Sequence, residues 1–461
     1  MKYRAVLIFS LALLFAFAAL AQAVEMKIPD IEHKQLDNGF DIYVIEQHEV
    51  PVVSMRLVVP GGKLYENEET LGIANLTASL LRKGTTNRSA DEVSEEIDFI
   101  GGSLGAGAGD DAIYATCKVL TKHLDKGIEL LADIMINPIF PEEEIEKQKD
   151  QFLGAIMQSK SDPATIRDQQ FYKRLFGDHP YGFTSMGTEE TVMLMTEADI
   201  KDYYNKYIIP NNAFLLVVGD VQANDVLSTI EKHFSPWKPG TPPTLDLPEP
   251  PPVADTKVVL IDKPDATQSY IAIGHLGISR MDPDAFACRV MNYILGGGGF
   301  ASRLTKEVRG EGGLTYGINS AFDYSKYKGS FVVKTFTKNE STAEAIDLIY
   351  QELRKIREEQ ITEKELNDTR NFYGGYIPIQ FETPDKIATY METIYLYDLG
   401  EDYYNRYLDA IANTTRGDVQ EVAQEYIDPN NMLIVVVGKA DEVKSQLEKY
   451  GELEVVPLIE L

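Results

Sequence analysis

The chain has 461 residues, with 72 acidic against 44 basic side chains, a formal net charge of −28 at pH 7 and two cysteines. This length predicts at least two domains with enough chain to bury sizeable cores. The acidic surface repels phosphate backbones and anionic lipid, so nucleic acid is excluded as an expected partner. Cys117 and Cys288 are too few for a disulfide scaffold and indicate ordinary buried thiols.

Residues 1–23 have the pattern of an export signal, that is, a signal peptide. Lys2 and Arg4 precede an apolar run, and Ala21-Gln22-Ala23 supplies a small-x-small cleavage site. Removing the segment changes the formal charge from −28 to −30, because two basic residues and no acidic residue are lost. The run is too short to favour a membrane span. We expect the mature protein to begin at Val24, to be exported to the periplasm of a Gram-negative bacterium, and not to insert stably into a membrane.

The segment 71–85 predicts a short helix that carries no histidine, cysteine or acidic residue. The six histidines of the chain are spread out, and no two lie within five residues of each other, so no helical pair of zinc ligands is present. The two cysteines form no C-x-x-C motif. We therefore expect this chain to bind no catalytic metal and no other cofactor.

The chain contains an internal duplication. The segment Tyr207–Gly219 recurs as Tyr426–Gly438 at a constant offset, since 426 − 207 = 219 and 438 − 219 = 219. Each copy has a Pro-Asn-Asn turn followed by an apolar, β-branched run that ends at glycine, which is typical of a buried strand. Strands and helices alternate in both halves without regular βαβ units. The pattern predicts an α+β fold of two homologous halves, each a mainly antiparallel sheet covered on one face by helices.

A proline-rich linker separates the halves. Residues 236–252 contain eight prolines in seventeen positions, which suits neither a helix nor a sheet. The predicted division is therefore an N-terminal domain at 24–235, a linker at 236–255 and a C-terminal domain at 256–461. We expect each half to have its own core, so that cutting the linker leaves two folded halves.

The richest local pattern lies at residues 295–316. Four glycines (Gly296, Gly297, Gly298 and Gly299) precede Ser302-Arg303-Leu304, a predicted short helix over Ala301–Val308, and then Arg309 and Tyr316. A phosphate-binding loop is excluded because no G-K-[ST] follows the glycines. The residues alone also permit a plain structural role, with Arg309 at a helix end and Tyr316 half-buried in a strand.

Several of these segments together resemble the pitrilysin-type peptidases, also called inverzincins. In that family the first helix carries H-x-x-E-H, in which two histidines bind zinc and the glutamate activates water. The segment 71–85 is similar in its frame, but the three functional positions hold Asn75, Ala78 and Ser79. The position of the third ligand, a glutamate in the family, falls on Ala155. Asn75 and Ser79 are weak oxygen donors, and Ala78 cannot accept a proton from water.

The second half resembles the mitochondrial-processing-peptidase branch of the same family. That branch carries a glycine run, then S-R-L, then R-x-x-x-G-L-x-Y. The matching segments of this chain are Gly296–Gly299, Ser302–Leu304 and Arg309–Tyr316. The resemblance covers about residues 33–445 and includes the stretch His179-Pro-Tyr-Gly182. It implies that Arg309 and Tyr316 form the R/Y pair that holds substrate, that the four glycines contact substrate, and that the halves close like a clamshell over a chamber.

The resemblance implies a division of labour between two chains. This chain would be the non-metal, substrate-binding subunit of an exported heterodimeric peptidase that cleaves peptides or unfolded segments. A homologous partner with an intact H-x-x-E-H would hold the zinc. The alternative is a catalytically inactive peptide-binding or scaffold protein of the same fold.

Overall fold

The computed structural model of the protein describes residues 30–458, so the expected export signal and its cleavage site lie outside the described residues. None of the helices within this range combines the length and the apolar character that a membrane span requires.

The first half is a six-stranded sheet with eight helices in the described range. Its strands are β1 (Ile31–Gln35), β2 (Asp41–Glu46), β3 (Val52–Pro60), β4 (Ser103–Ala108), β5 (Ala112–Leu120) and β6 (Phe214–Gly219). Its helices are α1 (Ile73–Leu80), α2 (Ala90–Phe99), α3 (Leu124–Ile136), α4 (Glu142–Ser159), α5 (Pro163–Phe176), α6 (Glu189–Leu194), α7 (Glu197–Tyr207) and α8 (Ala223–Phe234).

The second half repeats this plan. Its strands are β7 (Lys257–Asp262), β8 (Gln268–Leu276), β9 (Ile318–Phe322), β10 (Ser330–Lys338), β11 (Leu433–Gly438) and β12 (Glu452–Pro457). Its helices are α9 (Ala285–Asn292), α10 (Thr342–Glu358), α11 (Glu363–Ile379), α12 (Pro384–Leu396), α13 (Tyr403–Asn413), α14 (Arg416–Tyr426) and α15 (Ala440–Leu447).

The two sheets have the same order in five of their six strands, which confirms the predicted α+β fold of two homologous halves. The orders are β1-β2-β6-β3-β5-β4 and β12-β7-β11-β8-β10-β9. Five strands of one sheet match five of the other, and only the first strand in each order differs. There β1 pairs antiparallel with the strand that follows it, whereas β12 comes last in the chain and pairs parallel with β7. The duplicated apolar runs are β6 and β11, which occupy the same interior position in the two sheets.

Each sheet is covered by helices on both faces, not on one face as predicted, because one helix crosses over from the opposite half. Helix α5 packs on β8 and β11, and α12 packs on β3 and β6. The alternation along β6 reflects this: Leu215 and Val217 join the core of the first half, whereas Leu216 and Val218 join a core formed mainly by the second half. All six residues of β6 are buried, as expected for a strand with two covered faces.

The crossing helices fill the space between the two sheets. Phe171, Leu175 and Phe176 of α5 are buried against the second sheet. Helix α5 approaches that sheet at Gly274 of β8, where a Cβ atom would lie 2.9 Å from Cζ of Phe171. Each half therefore has its own core on its outer face, but the core between the sheets is shared. That each half folds by itself stays a prediction, and the shared core weighs against it.

The proline-rich segment is an extended strap without regular structure. Regular structure ends at Phe234 and resumes at Lys257, while the domain boundaries themselves stay a prediction. Trp237 is buried beside Phe40 and Phe234, with a ring distance of 5.3 Å to Phe40. Asn211 and Gly240 exchange two hydrogen bonds of 2.8 and 3.0 Å, so the start of the strap is held firmly on the first half.

Candidate functional site

Helix α1 carries the positions at which the family resemblance placed a zinc motif. Ala78 is fully buried, and Asn75 and Ser79 are partly buried. The Ser79 hydroxyl donates to the carbonyl of Leu76 at 2.7 Å, so its hydrogen goes to the helix itself. Tetrahedral zinc sites are built from imidazole, thiolate or carboxylate groups, and this helix presents none of them.

The fourth position, Ala155, lies on α4, which packs against α1. The structure thus brings the two helices together as the resemblance implies, but Ala155 places no ligand beside α1. Within residues 30–458, no group of three or more histidine, cysteine, aspartate or glutamate side chains is placed to hold a metal ion. The side chains at these four positions do not fit zinc.

The start of α1 is held by a buried carboxylate that no sequence pattern indicated. Oε2 and Oε1 of Glu66 accept hydrogen bonds from the backbone N–H groups of Gly72 and Ala74, at 3.0 and 2.9 Å. These donors are among those left unpaired at any helix start. Burial raises the pKa of Glu66 to about 7, although the two backbone donors lower it in part. The only signal in the sequence was an acidic residue six positions before a glycine-led helix, which is too common to be noticed.

The glycine run forms a π-helical turn, Tyr293–Gly297, followed by a short 3-10 turn. A Cβ atom on Gly296 would lie 2.6 Å from the backbone nitrogen of Ser320, so this glycine allows the turn to pack on β9. Cβ atoms on Gly297 and Gly298 would meet the preceding turn at 2.8 and 2.6 Å. Gly299 differs, with a φ of 56° and open space around it. Close packing thus accounts for three of the glycines, and their contact with substrate stays a prediction.

The S-R-L segment anchors the turn to the rest of the half. The Ser302 hydroxyl donates to the carbonyl of Gly299 at 2.7 Å, and Leu304 is fully buried. Arg303 forms two hydrogen bonds with Glu365 at the start of α11, of 2.7 and 3.0 Å. Burial alone would raise the pKa of Glu365, but these bonds and its capping contacts lower it to about 2.

Arg309 and Tyr316 lie on different elements from those predicted. A π-helical segment, Thr305–Glu311, contains Arg309, whereas the sequence predicted a helix that ends there. Tyr316 precedes β9 instead of lying in a strand, and its side chain is 78% exposed. Tyr316 is therefore not the half-buried strand residue that the plain structural role would require.

The guanidinium of Arg309 lies between two exposed aromatic rings. Its Cζ is 4.8 Å from the ring centroid of Tyr316 and 4.6 Å from that of Phe300, which is 76% exposed. Cation–π contacts of this kind orient a guanidinium without consuming its hydrogen-bond donors. Among the described residues, Arg309 forms no salt bridge and no side-chain hydrogen bond. Phe300 was missed because a single phenylalanine after glycines carries no signal of its own.

The structure brings the Arg309 cluster together but does not join it directly to the degenerate zinc positions. Within residues 30–458, no hydrogen bond or cation–π contact connects Arg309 or Tyr316 with Asn75, Ala78, Ser79 or Ala155. The two groups belong to opposite halves of the chain.

Comparison with known proteins agrees with this architecture. Residues 42–189 match the family model "Insulinase (Peptidase family M16)", and residues 195–373 match "Peptidase M16 inactive domain". An uncharacterized zinc protease of Rickettsia felis is 31% identical over 334 residues, covering 72% of this chain and 78% of that protein. The chain belongs to the M16 peptidase family.

Other M16 relatives extend the comparison. The Helicobacter pylori protein named non-peptidase homolog YmxG is 24% identical over 406 residues, covering 87% of this chain and 92% of that one. The crystal structure of a peptidase M16 inactive domain from Pseudomonas fluorescens has a TM-score of 0.83 at 25% identity, covering 89% of this chain and 98% of that one. A protease from H. pylori has the same fold, with a TM-score of 0.84 at 23% identity, covering 89% and 100%. These likenesses support an M16 chain of the inactive type.

A buried aspartate near His179 joins the two halves of this M16 chain. His179 is buried, its Nδ1 accepts from the Tyr181 N–H at 3.1 Å, and burial lowers its pKa, so its role is structural. The Tyr181 hydroxyl donates to Asp111 at 2.5 Å, and the Tyr397 hydroxyl of the second half donates to the same carboxylate at 2.7 Å. The buried Asp111 thus joins the two halves through the phenol of Tyr397, while Tyr181 binds the same carboxylate from within the first half.

Proposed function

We propose that this protein is the substrate-binding, metal-free subunit of an exported heterodimeric zinc peptidase of the M16 family, acting on peptides or unfolded segments. The observation that carries the proposal is the partly buried Arg309, whose guanidinium lies between the exposed rings of Phe300 and Tyr316 with no side-chain hydrogen bond to another described residue. A homologous partner with an intact H-x-x-E-H would supply the zinc, its ligands and the general base. Export to a periplasm, inferred from residues 1–23, would place the pair where peptides arrive from outside.

The chemistry of the pair suits the holding of a peptide bond. A guanidinium presents several N–H donors in one plane, and a phenol presents one O–H donor. Donors placed where negative charge develops stabilise the tetrahedral intermediate of peptide hydrolysis. Because the two rings already orient Arg309, little side-chain freedom remains to be lost when substrate binds.

The decisive experiment is reconstitution with a zinc-bearing M16 chain from the same organism. We expect peptide cleavage by the mixture and by neither chain alone, with zinc found by elemental analysis only on the partner. Tyr316→Phe removes one hydroxyl and should lower kcat about 10²–10³-fold, the typical cost of losing one such donor. Tyr270→Phe, which removes a hydroxyl from β8 in the same half, serves as the control and should leave kcat unchanged.

The second candidate is a peptide-binding or scaffold protein without catalysis, which the name of the H. pylori relative, non-peptidase homolog, favours. In that case the mixture would bind peptide but not cleave it. If the pair is active and Tyr316→Phe keeps the wild-type kcat/KM, the assignment of the R/Y pair is wrong.

A further inference from the structure

Exposed large apolar side chains of the second half gather around Arg309 and along α11. Phe372, Tyr376 and Ile379 of α11 are 41%, 42% and 45% exposed, and their spacings of four and three residues place them on one helix face. We call Tyr293, Phe300, Tyr316, Phe372, Tyr376 and Ile379 the aromatic patch. Contiguous exposed apolar surface of this kind marks sites of binding.

The rings contact one another from α11 to Tyr293, and the glycine turn links Tyr293 to Phe300 beside Arg309. The ring of Tyr293 lies 4.6 Å from that of Phe372, which stacks on Tyr376 at 5.4 Å. At its other side Tyr293 contacts the glycine turn, where a Cβ atom on Gly298 would lie 3.1 Å from its ring. Phe300 follows two residues later and holds the guanidinium of Arg309.

Bare backbone separates the rings. A Cβ atom at Gly299, Gly313, Gly317, Gly374 or Gly375 would meet no atom within 4 Å. Gly374 and Gly375 lie inside α11, where glycine is the poorest helix former after proline. Neither close packing nor a left-handed turn requires them there. Gly375 lies on the same helix face as Phe372 and Tyr376, where it leaves room for the main chain of another molecule, whereas Gly374 lies on a different face.

We infer that the aromatic patch binds a short, extended peptide segment with apolar side chains. The rings receive the side chains, the glycines admit the peptide backbone, and Arg309 offers donors to its carbonyl oxygens. A stable subunit interface needs about 20–30 residues on each side, which is far more than the patch offers. A peptide of a few residues fits its size. The inference deepens the proposed substrate-binding role and rests on it, but the binding itself requires neither the partner nor zinc.

The test measures peptide binding by the isolated, full-length mature chain. The probe is a fluorescein-labelled ten-residue peptide with three phenylalanines, compared by fluorescence anisotropy with the same peptide carrying serine at those positions. We expect the phenylalanine peptide to bind at least tenfold more tightly. Gly375→Glu places a charged side chain on the patch in open space and favours the helix, so it should weaken binding at least tenfold without impairing folding.

Matched controls lie outside the patch. Gly417→Glu makes the same change in α14, and Phe99→Ser removes a phenylalanine that is 91% exposed on α2. Both should bind the peptide like the wild type, whereas Phe372→Ser should weaken binding tenfold. Equal affinity for the two peptides, or unchanged binding in Gly375→Glu, would overturn the inference. So would sedimentation showing that the patch instead joins two copies of the chain.

The outcome is separable from that of the proposed function. If Gly375→Glu abolishes peptide binding but no partner yields cleavage, the patch stands and the heterodimeric peptidase does not. If cleavage depends on Tyr316 but binding of the probe is unaffected by Gly375→Glu, the peptidase stands and the patch does not.

Discussion

At the scale of residues, the flat guanidinium of Arg309 allows it to contact two aromatic rings at once. Two rings, at 4.6 and 4.8 Å, contact one guanidinium, and no carboxylate of the described chain competes for its donors. Its donors are thereby left for a ligand.

Arg309→Lys tests whether planarity or charge matters. Lysine keeps the positive charge but loses the flat fork of donors and the stacking on two rings. We expect KM of the reconstituted pair to rise about tenfold, with a further loss in Arg309→Ala, while the thermal unfolding temperature stays within about 2 °C. Identical KM values for Arg309→Lys and the wild type would show that charge alone suffices.

At the scale of elements, α1 is held in the first half although it lacks the metal ligands that the similar family helix carries. Its start is held by Glu66, and its buried face packs on neighbours that include β4 and α4. The helix has therefore kept its structural role in the half.

The carboxyl of Glu66 should make stability depend on pH. Its pKa is about 7 in the folded chain against 4.5 ordinarily, so the folded state binds the proton more tightly than the unfolded state. The corresponding stabilisation is complete below about pH 4.5 and is lost as the pH rises through about 7. The free energy of unfolding, measured by denaturant titration, should therefore fall between pH 5 and pH 8. Each tenfold difference in proton affinity between the two states contributes about 1.4 kcal/mol to this fall.

Glu66→Gln carries a neutral side chain at every pH and should flatten this dependence. Glu69→Gln, in the exposed part of the same loop, should retain the wild-type slope. A Glu66→Gln variant with the wild-type slope would assign the pH dependence to another group.

At the scale of the whole molecule, the two halves are interlocked by α5 and α12. Burial of one large apolar side chain stabilises by about 1.5–3 kcal/mol, and each crossing helix buries several against the opposite sheet. Ion pairs such as Arg56 with Glu392 and Lys334 with Asp168 join the halves as well. Separating the halves would expose the inner faces of both sheets.

Cutting the strap should consequently not release the halves. Protease nicking within residues 241–252 should leave two fragments that elute together on size exclusion and unfold in one transition. Elution of two separate, folded fragments without denaturant would contradict the shared core.

Phe171→Ala examines the same shared core from within. This side chain is fully buried between α5 and the second sheet, so its loss should lower the free energy of unfolding by about 3–5 kcal/mol. Both halves should unfold together at the lower midpoint. Phe99→Ala, a matched change at an exposed position, should shift the midpoint little.

The sequence by itself determined the fold class, the duplication and the family. These depend on local features: β6 and β11 are apolar runs bounded by Pro-Asn-Asn and glycine, and the spacing of Arg309 and Tyr316 is readable without coordinates. The absence of ligands at Asn75, Ala78, Ser79 and Ala155 was also a matter of residue type alone.

Only the tertiary structure decided what lies against what. Helices α5 and α12 each pack on the sheet of the opposite half, which depends on contacts between residues far apart in the chain. The apolar sequence of β6 is the same whichever half covers each of its faces. Likewise, the contact between Phe300 and Arg309 depends on a π-helical segment that the sequence does not predict. The sequence also does not show that Phe372 and Tyr376 are exposed on their helix. Burial and contact are properties of the packed chain. The sequence gives only the seven-residue spacing of Arg309 and Tyr316, whereas the structure shows the guanidinium between the rings of Phe300 and Tyr316.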